Sequence, residues 1–170
     1  REDLRVLWNK SPVSAAKLIN QGLARSNGEI VVLMNLGQEL SSGWLTRLLW
    51  WSTRDPRTGI ITPTNHPSTS GGCSSISRPD PRCILLTRGL LDRVGGIDLS
   101  LNAPGLEIDD LVIRSAIGGY RTLQANDVEV LGAPRKHTID SASAERFRGR
   151  WGFVPQPEAL DTVDEEYDRD

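Results

Sequence analysis

The tightest constraint on this chain is Ile30-Val31-Val32-Leu33-Met34, an unbroken apolar run between Gly28-Glu29 and Asn35-Leu36-Gly37. A run of this length suits a strand, and apolar residues at both odd and even positions suit a strand covered on both faces, as in a parallel sheet flanked by helices. It is far short of the ~20 residues a bilayer span needs. Upstream, residues 4–8 read as a short strand. Ser11-Pro12 reads as a helix start, with proline in the first turn. Residues 13–25 follow as a helix whose buried stripe holds Ala15, Ala16, Ile19, Gly22 and Leu23, and Ser26-Asn27-Gly28 stops it. Strand, helix and strand make a βαβ unit. The loop at 36–42 then leaves the carboxyl end of the apolar strand, where open α/β sheets bind ligands.

Further on, residues 43–54 read as a helix. At 100° per residue Trp44, Leu48 and Trp51 fall together, with Leu45 and Leu49 beside them, and Trp50 lies apart. Trp50 is therefore either a contact with a neighbouring element or a partner surface. Strands are expected at 59–62, 82–87, 120–125 and 127–131. Helices are expected at 88–94, 106–117 and 141–150. The stretch 63–81 is rich in Ser, Thr, Gly and Pro, and its length marks it as a functional loop, a lid or an insertion. These elements predict an α/β fold, a mixed sheet flanked by helices. Residues 1–157 form its domain and 158–170 a flexible acidic tail.

Composition narrows the function. Twenty Lys and Arg stand against 22 Asp and Glu, a net charge of -2. Seven of the acids lie from Glu158 onward, so the body carries 15 acids and 19 basic residues. That mild positive balance suits an anionic ligand, but no stacking motif points to nucleic acid. Arg1-Glu2-Asp3 is charged and no apolar stretch follows, so no signal peptide is expected. Cys73 and Cys83 have no zinc spacing, and two reduced thiols fit a cytoplasmic protein, with a small-loop disulfide as the alternative.

Three blocks together resemble family-2-type glycosyltransferases of the GT-A fold. The first runs from Asn9 through Ala15-Ala16, Asn20-Gln21-Gly22 and Gly28-Glu29 to Asn35 and Gly43-Trp44-Leu45. The second is Cys83 to Asp98, with Arg88 and Gly95-Gly96-Ile97-Asp98. The third is Gly105-Leu106-Glu107-Ile108-Asp109-Asp110-Leu111 to Arg114, followed by Gly119-Tyr120-Arg121 and Asp127. The resemblance covers residues 4–131. It implies transfer of a sugar from a nucleotide-sugar donor to an acceptor hydroxyl, with inversion. It also implies upstream βαβ units that carry the nucleotide base, so this chain matches the downstream part of such a domain.

Sugar transfer needs a cation for the leaving diphosphate and a carboxylate base for the acceptor. The family supplies Mn²⁺ or Mg²⁺ through an Asp-x-Asp loop, a later His, and the base through a Glu-Asp pair. Here the three motifs are degenerate. Asn35 matches one metal-loop position, but Gly37 stands at the metal-binding Asp, which weakens any divalent site. Glu39 is a candidate ligand or a solvated loop acid. Ile108 replaces the family's Asp, leaving Glu107, Asp109 and Asp110 as the catalytic candidates. Glu107, Asp110 and Arg114 fall within about 60° on a helical wheel, with Asp109 off that face. The alternative is that these acids serve the helix dipole and an Asp110–Arg114 ion pair. Gly132 replaces the His, and His137 is a candidate to reach the same space. Arg135 and Lys136 are candidates for the diphosphate, and Asn20 and Asn35 for the donor. His66 matches no motif.

Two functions follow. One is an active transferase, the other a catalytically silent domain of the same fold that binds or assembles. Partners in either case are a nucleotide-sugar donor, an unidentified acceptor, and contacts through Trp50 or with a missing amino-terminal half.

Overall fold

The computed structural model describes residues 4–101, 103, 105–132 and 139–155. The elements in order are α1 (Ala15–Leu23), β1 (Ile30–Met34), β2 (Glu39–Leu40), α2 (Trp44–Ser52), β3 (Thr58–Thr64), β4 (Cys73–Ser75), β5 (Cys83–Thr87), α3 (Arg88–Val94), α4 (Leu106–Ile117), β6 (Arg121–Leu131) and α5 (Ser141–Trp151). They form the expected mixed α/β fold, a curled sheet with helices on both faces.

The sheet runs β1-β5-β3-β6-β2, and β4 also pairs with β6. Only β3 and β6 run parallel among the described pairs. The apolar run thus departs from its expected place in a parallel sheet: β1 pairs antiparallel with β5, Val32 opposite Leu85, and ends the strand path. Its residues are only partly buried for that reason.

Alternation along the central strands divides the core. Ile60, Ile84 and Leu86 point to one face, where they pack with Ala16 and Leu23 of α1, Leu90 and Leu91 of α3, and Ile108 and Leu111 of α4. Ile61, Cys83 and Leu85 point to the other, under Leu48, Trp44 and Trp51 of α2. This is the period-two pattern of a two-sided strand. A third cluster, Leu101, Ala103, Leu106 and Phe147, joins α4 to α5.

Several local expectations change. Residues 4–8 form no strand; they are exposed and pair with nothing in the sheet, so the expected βαβ opening is absent. Helix α1 begins later than Ser11-Pro12 suggests, because the Ser14 hydroxyl accepts from the Lys17 amide and caps it. The two strands expected at 120–131 are one, β6, whose first half lies between β3 and β4 and whose end pairs with β2. The stretch at 63–81 is no free loop. It contains the end of β3, all of β4 and the buried Pro79, and only 65–70 is continuously exposed. Cys73 and Cys83 are free thiols on different strands, which excludes the small-loop disulfide. Trp50 is 47% exposed, with the Arg54 guanidinium 3.8 Å over its ring and Trp51 edge-on at 4.5 Å. No helix among the described residues is long and apolar enough to cross a membrane.

Candidate functional site

A cleft of about 560 Å³ opens between α1, β1 and the start of α4. Asn35 and Leu36 reach it from the turn that leaves β1, and Gly105, Glu107 and Ile108 reach it from the first turn of α4. Ala15, Leu18 and Ile19 of α1 and Val32 and Met34 of β1 make its apolar wall. The Leu18 and Met34 side chains are about half exposed there. The turn after the apolar strand and the head of the acid-bearing helix therefore share one hollow.

Gly105 opens α4 with φ of 99°, a conformation that glycine adopts without strain. It brings no capping side chain, and Glu107 follows directly in the first turn. Glu107 is 5% exposed, and its Oε2 has no hydrogen-bond partner among the described residues. Burial pushes its carboxyl up to about 7. The amides of Glu107 and Gly105 oppose that shift, and the neighbouring Asp109 adds to it. A buried acid with an unsatisfied oxygen, titrating near neutrality and lining a cleft, can accept or release a proton.

The other two acids of α4 point elsewhere. Asp110 is fully buried and lines no part of the cleft. Its Oδ2 accepts from Arg114 Nε at 2.7 Å; its Oδ1 accepts from Arg150 Nη1 at 3.0 Å and Trp151 Nε1 at 3.1 Å. Asp98 also pairs with Arg150. Asp110 thus ties α5 to α4, and the expected sharing of one cleft by Glu107 and Asp110 does not occur. About 60° on the wheel separates a helix face that meets open space from one that meets another helix. Asp109 faces away from both and pairs with Arg78 at 3.0 Å. Burial raises its carboxyl to about 6, against the pull of Arg78.

Asn20 holds a turn. Its Nδ2 donates to the Ile97 carbonyl at 2.7 Å and its Oδ1 accepts from the Ile97 amide at 2.9 Å. Asn35 lines the cleft, but its Nδ2 donates to the Pro81 carbonyl at 3.1 Å. Glu39 is exposed on β2, opposite Leu131, and is not among the cleft residues. Arg135, Lys136 and His137 lie outside the described residues, as does the acidic stretch 158–170.

The described residues do not fit a divalent ion. No group of three His, Cys, Asp or Glu among them is placed to hold one. Gly37 turns with φ of 81° and offers no side chain. Gly132, where the sequence resemblance leads one to expect a His, has φ of 115°, and a Cβ there would meet Gln38 Oε1 at 2.7 Å and the Gly37 carbonyl at 3.1 Å. Arg82, 5% exposed, holds this junction together. Its Nη1 donates to the Gly132 carbonyl at 2.8 Å while its guanidinium pairs with Asp80. Sequence reasoning missed this residue. The turn signal in Asp80-Pro81-Arg82 was present, but nothing local marks an Arg as buried.

No protein-family profile and no curated protein matches the sequence. Among solved structures the fold is similar to that of the mannosyltransferase PcManGT from Pyrobaculum calidifontis, in complex with GDP-Man and Mn²⁺. The TM-score is 0.61 and the identity 21%, over 76% of this chain and 39% of that one. The chain thus spans about 39% of the length of that neighbour.

Proposed function

We propose that this chain is the acceptor-side portion of an inverting nucleotide-sugar glycosyltransferase, with Glu107 as its base. One observation carries the reading: the buried Glu107 carboxyl, whose Oε2 has no partner among the described residues, in the cleft that Asn35 and Leu36 also line. The likeness of fold to an enzyme solved with GDP-Man supports the class of donor.

In this reading the acceptor hydroxyl gives its proton to the Glu107 carboxylate. Its oxygen bonds to the anomeric carbon on the face opposite the leaving group. The carbon–oxygen bond to the diphosphate breaks, and its electron pair leaves with the diphosphate. A base that titrates near neutrality suits this work. Asn35 stands at the donor end. Arg135 and Lys136 are proposed to meet the diphosphate. Since the described residues do not form a divalent site, no step here is routed through a metal. The domain is proposed to run over residues 1–157.

A second reading, a silent binding domain of the same fold, is favoured by the lack of metal donors at Gly37 and Gly132 and by Asn35 binding Pro81. The test measures thermal stabilisation by GDP, GDP-mannose and UDP-glucose, with and without Mn²⁺, then turnover with simple acceptors. Transfer predicts stabilisation, since ligands that bind the native state raise its stability. It also predicts that Glu107→Gln keeps binding and loses about 10²-fold or more in turnover. Full turnover by Glu107→Gln would remove Glu107 from the chemistry. Binding with no turnover in the unaltered chain would select the silent reading, and no stabilisation by any of the three would end the transfer reading and favour the silent one.

A further inference from the structure

The lining of the Glu107 cleft is narrow in its chemistry. Among the described residues that form it, only Asn35 and Glu107 have polar side chains; the others are aliphatic, glycine or proline. Asn35 Nδ2 is already given to the Pro81 carbonyl. No Lys, Arg, His or aromatic residue is among the described lining residues. Leu18 and Met34 on the wall are about half exposed, and Leu36 at the rim is 94% exposed, so this apolar surface stands open to solvent. Apolar surface gains from being covered.

Three classes of acceptor meet this lining differently. A saccharide brings several hydroxyls, and each one taken from water without a partner opposes binding. Two polar side chains are too few to satisfy them. A phosphate or carboxylate headgroup meets the like charge of ionised Glu107, with no described lining cation to offset it. A single hydroxyl has one hydrogen to give, and the Glu107 Oε2, which has no partner among the described residues, can accept it. An aliphatic body behind that hydroxyl matches the wall of Leu18, Ile19 and Met34. Few, well-placed polar groups in an apolar cleft are what orient a small ligand.

We propose that the acceptor of this cleft is an aliphatic alcohol, its hydroxyl at Glu107 and its chain along Leu18, Ile19 and Met34. This assignment takes Glu107 as the base and rests on that reading. The alcohol oxygen bonds to the anomeric carbon of the nucleotide sugar, and its proton goes to the Glu107 carboxylate. The nucleoside diphosphate leaves with the electron pair of the broken bond, and the product is an alkyl glycoside.

Three probes test it on the full chain carrying ¹³C-labelled Ile, Leu and Val methyls: 1-octanol, octyl phosphate and methyl α-mannoside. Each is titrated at neutral pH, then offered as acceptor with GDP-mannose and with UDP-glucose. Octanol should give saturable shifts at Leu18, Ile19, Val32 and Ile108, at an affinity at least about tenfold above either other probe. Leu18→Gln, at a half-exposed helix position, should weaken octanol about tenfold while leaving the circular dichroism spectrum unchanged. Glu107→Gln removes the like charge and should tighten octyl phosphate about tenfold, with octanol held within about threefold. Octyl phosphate binding as tightly as octanol would overturn the proposal, as would octanol shifts centred elsewhere in the molecule or octanol binding indifferent to Leu18→Gln. Transfer to methyl α-mannoside and not to octanol would overturn the alcohol class and leave the transfer reading standing. Octanol held in the cleft with no octyl glycoside formed from either donor would support the ligand class and end the transfer reading alone.

Discussion

Trp151 Nε1 donates to Asp110 Oδ1 at 3.1 Å, so the last residue of α5 is held by a buried acid in the middle of α4. Two guanidinium groups face the same carboxylate. Removing one member of such a buried set is costly because the remaining charges lose their partner. Asp110→Asn should therefore destabilise the fold by about 3 kcal/mol, and Trp151→Phe by about 1.5 kcal/mol. Urea titrations check both. An Asp110→Asn protein as stable as the parent but devoid of turnover would return Asp110 to the chemistry.

Glu107 has the opposite signature. Its carboxyl rises from 4.5 to about 7 on folding, so the native state holds its proton more tightly than the unfolded chain. Its contribution to stability is full below the unfolded value and is lost as pH climbs through the folded one. Glu107→Gln, a mimic of the protonated form, should match the parent at pH near 4 and exceed it above pH 7, by up to about 3 kcal/mol. Urea midpoints across pH decide this. Identical pH profiles would show that the carboxyl is not held in the cleft as described. Turnover by the parent should rise as pH passes about 7, because only the ionised form accepts a proton.

Asn20 bridges both backbone groups of Ile97, and a Cβ on Gly96 would lie 2.5 Å from Asn20 Oδ1. Asn20→Ala and Gly96→Ala should each cost about 1–3 kcal/mol by leaving the turn unsatisfied or crowded. Nucleotide affinity should stay within about twofold of the parent once folding is corrected for. A selective loss of nucleotide binding in a stable Asn20→Ala protein would instead give Asn20 the donor role that the sequence suggested.

Glu39 is exposed beside the β2–β6 pairing and away from the cleft wall. Glu39→Gln should change stability by less than about 0.5 kcal/mol, as surface substitutions do. Any Mn²⁺ dependence of nucleotide binding should be unaltered. A tenfold fall confined to the Mn²⁺ series, about 1.4 kcal/mol, would make Glu39 a ligand after all.

Much of the scaffold was legible in the chain. The bounds 88–94 and 106–117 agree with α3 and α4. Such features come from local periodicity, which a helix or strand imposes on its own residues. Less legible was the stretch at 63–81. Its Ser, Thr and Gly content reads as loop, yet Cys73–Ser75 pairs with Leu123 to Ala125 because β6 offers an open edge.

The chain alone determined that Glu107, Asp109 and Asp110 would sit together at the head of one helix, close after a glycine. Which of them lines the cleft was decided by what the tertiary structure placed around that helix. Open space meets Glu107, a guanidinium meets Asp109, and another helix with two arginines meets Asp110. A carboxyl's proton affinity follows from desolvation and from charges within a few ångströms, and those neighbours come from residues that are distant in sequence.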